Sequence, residues 1–233
     1  MANLFSSSIG KKLIMSLSGL FLILFLTFHM SMNLVALISA EGYNMICEFL
    51  GANWYALAAT AGLAGGMVIH IVYAFYLSML NRKARGNNRY AVIDTPKEVT
   101  WASQNMLVLG IIVICGLALH LVNFWANMQL VEIMGHHEVV VAGMTIAPTD
   151  GAALIAYTFS KWYFVLPYIV WFAAIWFHLT HGFWSALQTI GWNNQIWFNR
   201  WRCIGNIFAT VICLGFAAVT IIFYLQSLCS CCA

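Results

Sequence analysis

Five stretches of this chain are each apolar for long enough to cross a lipid bilayer, and that restricts its fold more than any other feature. They run roughly over Leu13–Ile38, Tyr55–Leu80, Ala102–Ala126, Trp162–Leu187 and Cys203–Leu225. A helix needs about 20 apolar residues to traverse the hydrocarbon core. Inside lipid every backbone N–H and C=O must be satisfied within the protein, so an open sheet is excluded. The chain is 63% hydrophobic and 7% charged, far from the roughly 25% charged residues of soluble domains. The first stretch is too long for a signal peptide and has no small-residue cleavage pattern after it, so it is expected to stay as a helix. The predicted fold is an all-α membrane protein with five transmembrane helices in a single domain over residues 1–233.

The few charges are placed unevenly. If the helices alternate in direction, Lys11, Lys12, Arg82, Lys83, Arg85, Arg89, Lys97, Arg200 and Arg202 fall at one end of the bundle. Lys161 falls at the other end, with Glu41, Glu48, Glu132, Glu138 and Asp150. The positive-inside rule then predicts a cytoplasmic N-terminus and an outer C-terminus. The net charge of +3 follows from this asymmetry, and nothing in it suggests nucleic acid. Cys229, Cys231 and Cys232 cluster after the fifth span but have no companion cluster, so they read as a solvated tail rather than a metal site.

Four of the five spans carry a histidine well inside the apolar run: His29, His70, His120 and His178. Imidazole is costly at that depth and marks function by default. With a rise of about 1.5 Å per residue, His70 and His178 sit roughly 18 and 21 Å from the basic end, and His29 and His120 roughly 25 and 30 Å from it. Depth therefore pairs His70 with His178 in the inner half and His29 with His120 in the outer half. A pair of neutral imidazoles from facing helices is what six-coordinate haem iron needs. The expectation is a four-helix haem-binding bundle holding two haems b, with the fifth helix as packing. Gly66 and Gly116 each lie one turn before a paired histidine. They suit either a flat macrocycle or close helix packing. His181 lies on nearly the same face as His178, so spacing alone leaves either as the inner ligand. His136 and His137 read as solvated loop residues.

At these residues the chain resembles the cytochrome b membrane-anchor subunit of succinate dehydrogenase and fumarate reductase, in its single-chain, five-helix, two-haem form. The likeness rests on Phe28-His29-Met30-Ser31-Met32-Asn33, Ala40-Glu41-Gly42-Tyr43-Asn44 and Ile69-His70-Ile71-Val72-Tyr73. It rests also on Phe177-His178-Leu179-Thr180-His181-Gly182-Phe183-Trp184-Ser185, followed by Gly191-Trp192. In that family the fourth-span ligand precedes a glycine by four residues, which implies His178 as ligand and His181 as part of the haem surroundings. The resemblance implies the same two haem pairings, with His29, His70, His120 and His178 as the axial ligands of the iron.

The resemblance further implies an FAD-containing flavoprotein and an iron–sulfur subunit on the cytoplasmic face of a bacterial inner membrane. Electrons would pass between the clusters and membrane quinone, and this chain alone would have no succinate or fumarate activity. A dimer of such heterotrimers is a further form open to it. The loop from Arg82 to Thr100 is the candidate contact with the iron–sulfur subunit. Quinone chemistry moves protons as well as electrons. The family's acidic residue between the first two spans corresponds here to Glu48 or Glu41, with Glu48 preferred, and an outer-side carboxylate fits menaquinone. Some relatives carry a glutamate two residues before the fourth-span ligand; this chain has Trp176 there. Ser16, Trp101 and Gln104 are candidate donors to haem propionates at the inner level.

Two other readings compete. The haem subunit of a nitrate reductase or hydrogenase also uses paired histidines, but one histidine on each of spans one to four disfavours it. A histidine-containing proton channel or transporter would be expected to show repeats or broken helices. No repeat is present, and Pro167 is the one proline inside a span.

Overall fold

The computed structural model describes residues 7–85 and 99–230. Five helices in it are long and apolar enough to cross a membrane, and the chain is an all-α, multi-pass membrane protein. Arg89, Lys97, Cys231, Cys232 and most of the proposed docking loop lie outside the described residues.

Helix α1 runs over Ser8–Val35. Ser7 caps it, its side chain accepting from Gly10 N at 3.0 Å, which satisfies one of the free donors of a first turn. A short helix α2, Ala40–Phe49, follows and starts on a second serine cap, Ser39. Helix α3 spans Trp54–Arg85. It returns antiparallel along α1: Lys11 lies over the Tyr76 ring, and Gly66 faces Phe21.

The third span begins as a separate turn, α4 (Trp101–Gln104), before α5 (Met106–Asn123). Asn105 interrupts the two. Its side-chain amide donates to Trp101 O at 2.9 Å, which is how asparagine competes with the helical ladder. A 3-10 turn at Trp125–Asn127 and helix α6, Gln129–Ile133, follow. The hairpin of β1 (Val139–Val141) and β2 (Met144–Ile146) comes next, joined by Ala142 and Gly143, both with positive φ. Helix α7, Gly151–Phe159, leads into α8, Trp162–Thr189, and α9, Trp197–Ser230, closes the fold.

Helices α8 and α9 form the densest seam. Ala209, Ile212 and Thr220 of α9 are almost fully buried, and Phe172 stacks on Phe216 at 5.7 Å. Helix α9 also meets α1, where Gly215 admits the Met30 side chain. The fifth long helix is thus part of the bundle wall and not an outlier to it. Helix α3 is the opposite case, since the core of its span contributes no buried residue. At the end bearing the acidic residues, α2 and α7 are clasped by reciprocal bonds. Asn44 Nδ2 donates to Asp150 Oδ1 at 2.7 Å, and Asn44 Oδ1 accepts from Ala152 N at 2.9 Å.

Candidate functional site: two facing histidine pairs

Four helices each deliver one histidine to the bundle interior. His29 on α1 and His120 on α5 face each other with ring centroids 5.7 Å apart and planes at 82°. His70 on α3 and His178 on α8 face each other at 6.3 Å and 62°. These are the partners that depth along the helices suggested. Each pair takes one member from the α1–α3 hairpin and one from the α5–α8 hairpin.

The His29–His120 pair is enclosed by aromatic rings. Phe25 stacks on His29 at 5.3 Å and 14°, and Phe216 reaches the same ring from α9 at 5.8 Å. Trp171 lies 5.7 Å from His120, and Phe124 lies 5.2 Å from it. Trp171 is itself held by a bond from its indole N–H to Val113 O at 3.0 Å. Gly116 is what lets it approach, because a Cβ there would stand 2.1 Å from Trp171 Cδ1. Gly66 serves Phe21 in the same way, at 2.7 Å. Both glycines that precede a histidine by one turn are therefore small because an aromatic ring packs on them. One turn after His29, Asn33 donates to His29 O at 2.8 Å and accepts from Tyr43 OH at 3.3 Å. This ties the helix end to α2. The same amide's 3.5 Å approach to His29 Nδ1 is too long to fix the imidazole's tautomer.

The His70–His178 pair is less enclosed and carries more polar contacts. Ser18 Oγ lies 3.2 Å from His70 Nδ1. His178 Nδ1 and His181 Nδ1 are buried without a protein partner, as is Asn193 Oδ1. His181 turns its ring edge-on to Trp184 at 5.1 Å. Trp101 packs against Phe177 at 5.1 Å and is 60% exposed, while Gln104 is exposed at the end of α4. Ser16 is buried. Trp176 points its indole to Thr210 of α9 at 2.9 Å and so is committed to helix packing.

Both pairs fit a bis-imidazole metal site in donor type and spacing. Imidazole nitrogen bonds a metal ion at about 2.0–2.1 Å, so two rings on opposite sides of one ion hold their centroids about 6 Å apart. Among the described residues no three of His, Cys, Asp and Glu come together as a metal site. A haem needs only two ligands from the chain, since the porphyrin supplies four.

Glu41 and Glu48 are both exposed on α2 and line one open hollow of about 440 Å³ with Asn44, Met45, Thr149 and Asp150. Glu48 also lines the adjoining hollow of about 570 Å³, with Phe49, Asn53 and Glu132. Asp150 went unselected as a site residue in the sequence, although an Asp before Gly-Ala-Ala is a helix-start signal. Its Oδ1 accepts from Ala153 N at 3.1 Å. Glu132 is held by Ala52 N at 2.6 Å. Beside the hollows, burial pushes the Cys47 thiol up to about 11.

The chain matches no family model, and no curated protein and no solved structure shows significant similarity to it.

Proposed function

We propose that this chain is the di-haem cytochrome b anchor of a succinate dehydrogenase or fumarate reductase complex, carrying electrons between membrane quinone and an iron–sulfur subunit. The observation that carries the reading is the meeting of four intramembrane histidines as two facing pairs at the spacing a bis-imidazole ion requires. His29 and His120 would hold one haem b, and His70 and His178 the other. Bound there, each haem would supply a one-electron carrier.

The protein's own contribution is position and environment. The four helices hold the imidazoles at two depths, giving two relay points between the ends of the bundle. The rings of Phe25, Phe124, Trp171 and Phe216 keep the His29–His120 site dry, and hydrophobic enclosure is one of the levers on a haem's potential. At the acidic end, Glu48 is the preferred proton-exchanging group for quinone, with Glu41 beside it across the same hollow. Exposed Met45 on α2 lines that hollow and the adjoining one, where exposed Phe49 joins it, and the two would give a quinone ring apolar contacts. At the basic end, Lys11, Arg82, Arg200 and Arg202 would face the iron–sulfur subunit in the cytoplasm, and the flavoprotein beyond it would do the succinate–fumarate chemistry. In this reading the membrane is the bacterial inner membrane and the quinone is menaquinone.

The deciding experiment is a dithionite-reduced minus oxidised spectrum of the purified membrane protein, with haem b quantified against protein. Two haems b per chain are expected. A chain free of haem b after assembly in a haem-replete host would overturn the reading and return the histidines to packing or proton transfer.

A further inference from the structure

The two members of the His70–His178 pair are supported unequally. His178 Nδ1 is buried and has no protein partner. His70 Nδ1 lies 3.2 Å from Ser18 Oγ on the neighbouring helix α1. Ser18 is 9% exposed, and its Oγ also donates to Met15 O at 3.0 Å. A serine hydroxyl has one proton and two lone pairs. Met15 O also faces His70 as an acceptor, and with the hydroxyl proton turned to that carbonyl Ser18 Oγ accepts from His70. His70 therefore carries its proton on Nδ1, and its Nε2 lone pair is free. The next residue completes the seat: a Cβ at Gly19 would lie 3.3 Å from His70 Cε1. The Ser18-Gly19 step thus both anchors one ring nitrogen and leaves room for the ring edge.

We infer that Ser18 is a positioning residue for His70: it fixes the imidazole's tautomer and rotation so that Nε2 is the metal-binding atom. The inference rests on the haem-ligand reading above and adds to it a residue outside the ligand set, unlike the depth-chosen Ser16. At metal sites the acceptor behind a ligating histidine sets ring orientation and raises ligand basicity. A more basic ligand favours the ferric state, so loss of the Ser18 acceptor is expected to move that haem toward the ferrous form. The expected displacement of its one-electron equilibrium is about tenfold, on the scale of the low end of the loss in metal affinity or activity that follows removal of an outer-shell partner.

The test is a potentiometric optical titration of purified wild type, Ser18→Ala, Ser18→Cys, Ser18→Thr and His70→Ala, each with haem b counted per chain. The titration wave that His70→Ala abolishes is the one that Ser18→Ala should raise. Ser18→Thr should restore its position, because the hydroxyl is kept, and the weaker acceptor in Ser18→Cys should leave it between the two. The Cys and Thr variants carry the comparison by themselves if the Ala variant fails to accumulate. Movement of the other wave, or a Ser18→Cys wave that coincides with those of Ser18→Thr and wild type, would overturn the inference while leaving the haem reading intact. Absence of haem b from the wild type would remove that reading first. A purely structural role for Ser18 would lower the yield of folded chain without moving one wave alone.

Discussion

Trp171 sits so close to Gly116 that any side chain there must displace it. Gly116→Ala is expected to cost about 1–3 kcal/mol, as overpacking does in a tight core, and to break the Trp171–Val113 bond. Thermal loss of folded protein in detergent would read this out. Gly62→Ala is the matched control, because a Cβ at Gly62 meets nothing within 4 Å, and no loss is expected. For the histidines, His29→Ala or His120→Ala should remove one haem, and His70→Ala or His178→Ala the other. His181→Ala should keep both, as counted by difference spectra. Loss of a haem in His181→Ala with retention in His178→Ala would reverse the ligand choice. Cys47 gives a pH test. Its thiol is pushed from an ordinary value of 9.0 up to about 11 by burial, so it stays protonated at a pH where an ordinary thiol begins to ionise. Since the thiolate is the nucleophile, alkylation of Cys47 near pH 8 should be about a hundredfold slower than that of an ordinary exposed thiol. The unfolded chain ionises first as pH rises, so the stability linked to this group falls between 9.0 and about 11. At this scale the sequence was legible where chemistry is rare in lipid, as with the four paired histidines. It was not legible where meaning depends on rotation about a helix axis. Ser16 and Ser18 are equally polar and nearly equal in depth, and only the packing of α1 on α3 selects Ser18 as the residue that meets His70.

The short elements between the spans do their work through side-chain bonds. Gln129 is the fullest example. Its Oε1 accepts from Thr60 Oγ1 and Trp125 Nε1, both at 3.0 Å, and its Nε2 donates to Gly51 O at 3.1 Å. It thereby joins α6 and the preceding turn to the start of α3. Gln129→Ala would leave these groups unpaired in a buried place, at about 1–3 kcal/mol for each one left unsatisfied. Asn44→Ala, which opens the α2–α7 clasp, is expected to cost less, about 1 kcal/mol. In detergent, limited proteolysis should then cut first near the hollows lined by Glu41 and Glu48. The long helices were readable because a 20-residue apolar run has few alternatives. Helices α2 and α7 were not readable as spans or as sheet, being too short and mixed in composition, although Ser39 and Asp150 mark their starts. The break at Asn105 was also missed, because hydropathy does not register a side chain that takes a backbone carbonyl.

Across the whole molecule, charge and depth combine into one axis. Lys11, Arg82, Arg200 and Arg202 mark one end, while Glu41, Glu48, Glu132 and Asp150 mark the other. If electrons travel that axis between the two proposed haems, they move through the membrane potential. An uncoupler is therefore expected to change quinol-linked turnover of the full complex in sealed vesicles, and an unchanged rate would count against the proposal. The architecture has a further consequence, in time rather than in space. Each histidine pair is split between the first and second halves of the chain, so no pair can exist on a nascent chain that has inserted only α1 and α3. His29 meets its partner once α5 is in the bilayer, but His70 must wait for α8. The two sites are completed in the order of synthesis, the His29–His120 site first, and a chain arrested between α5 and α8 would carry the makings of one site and half of the other.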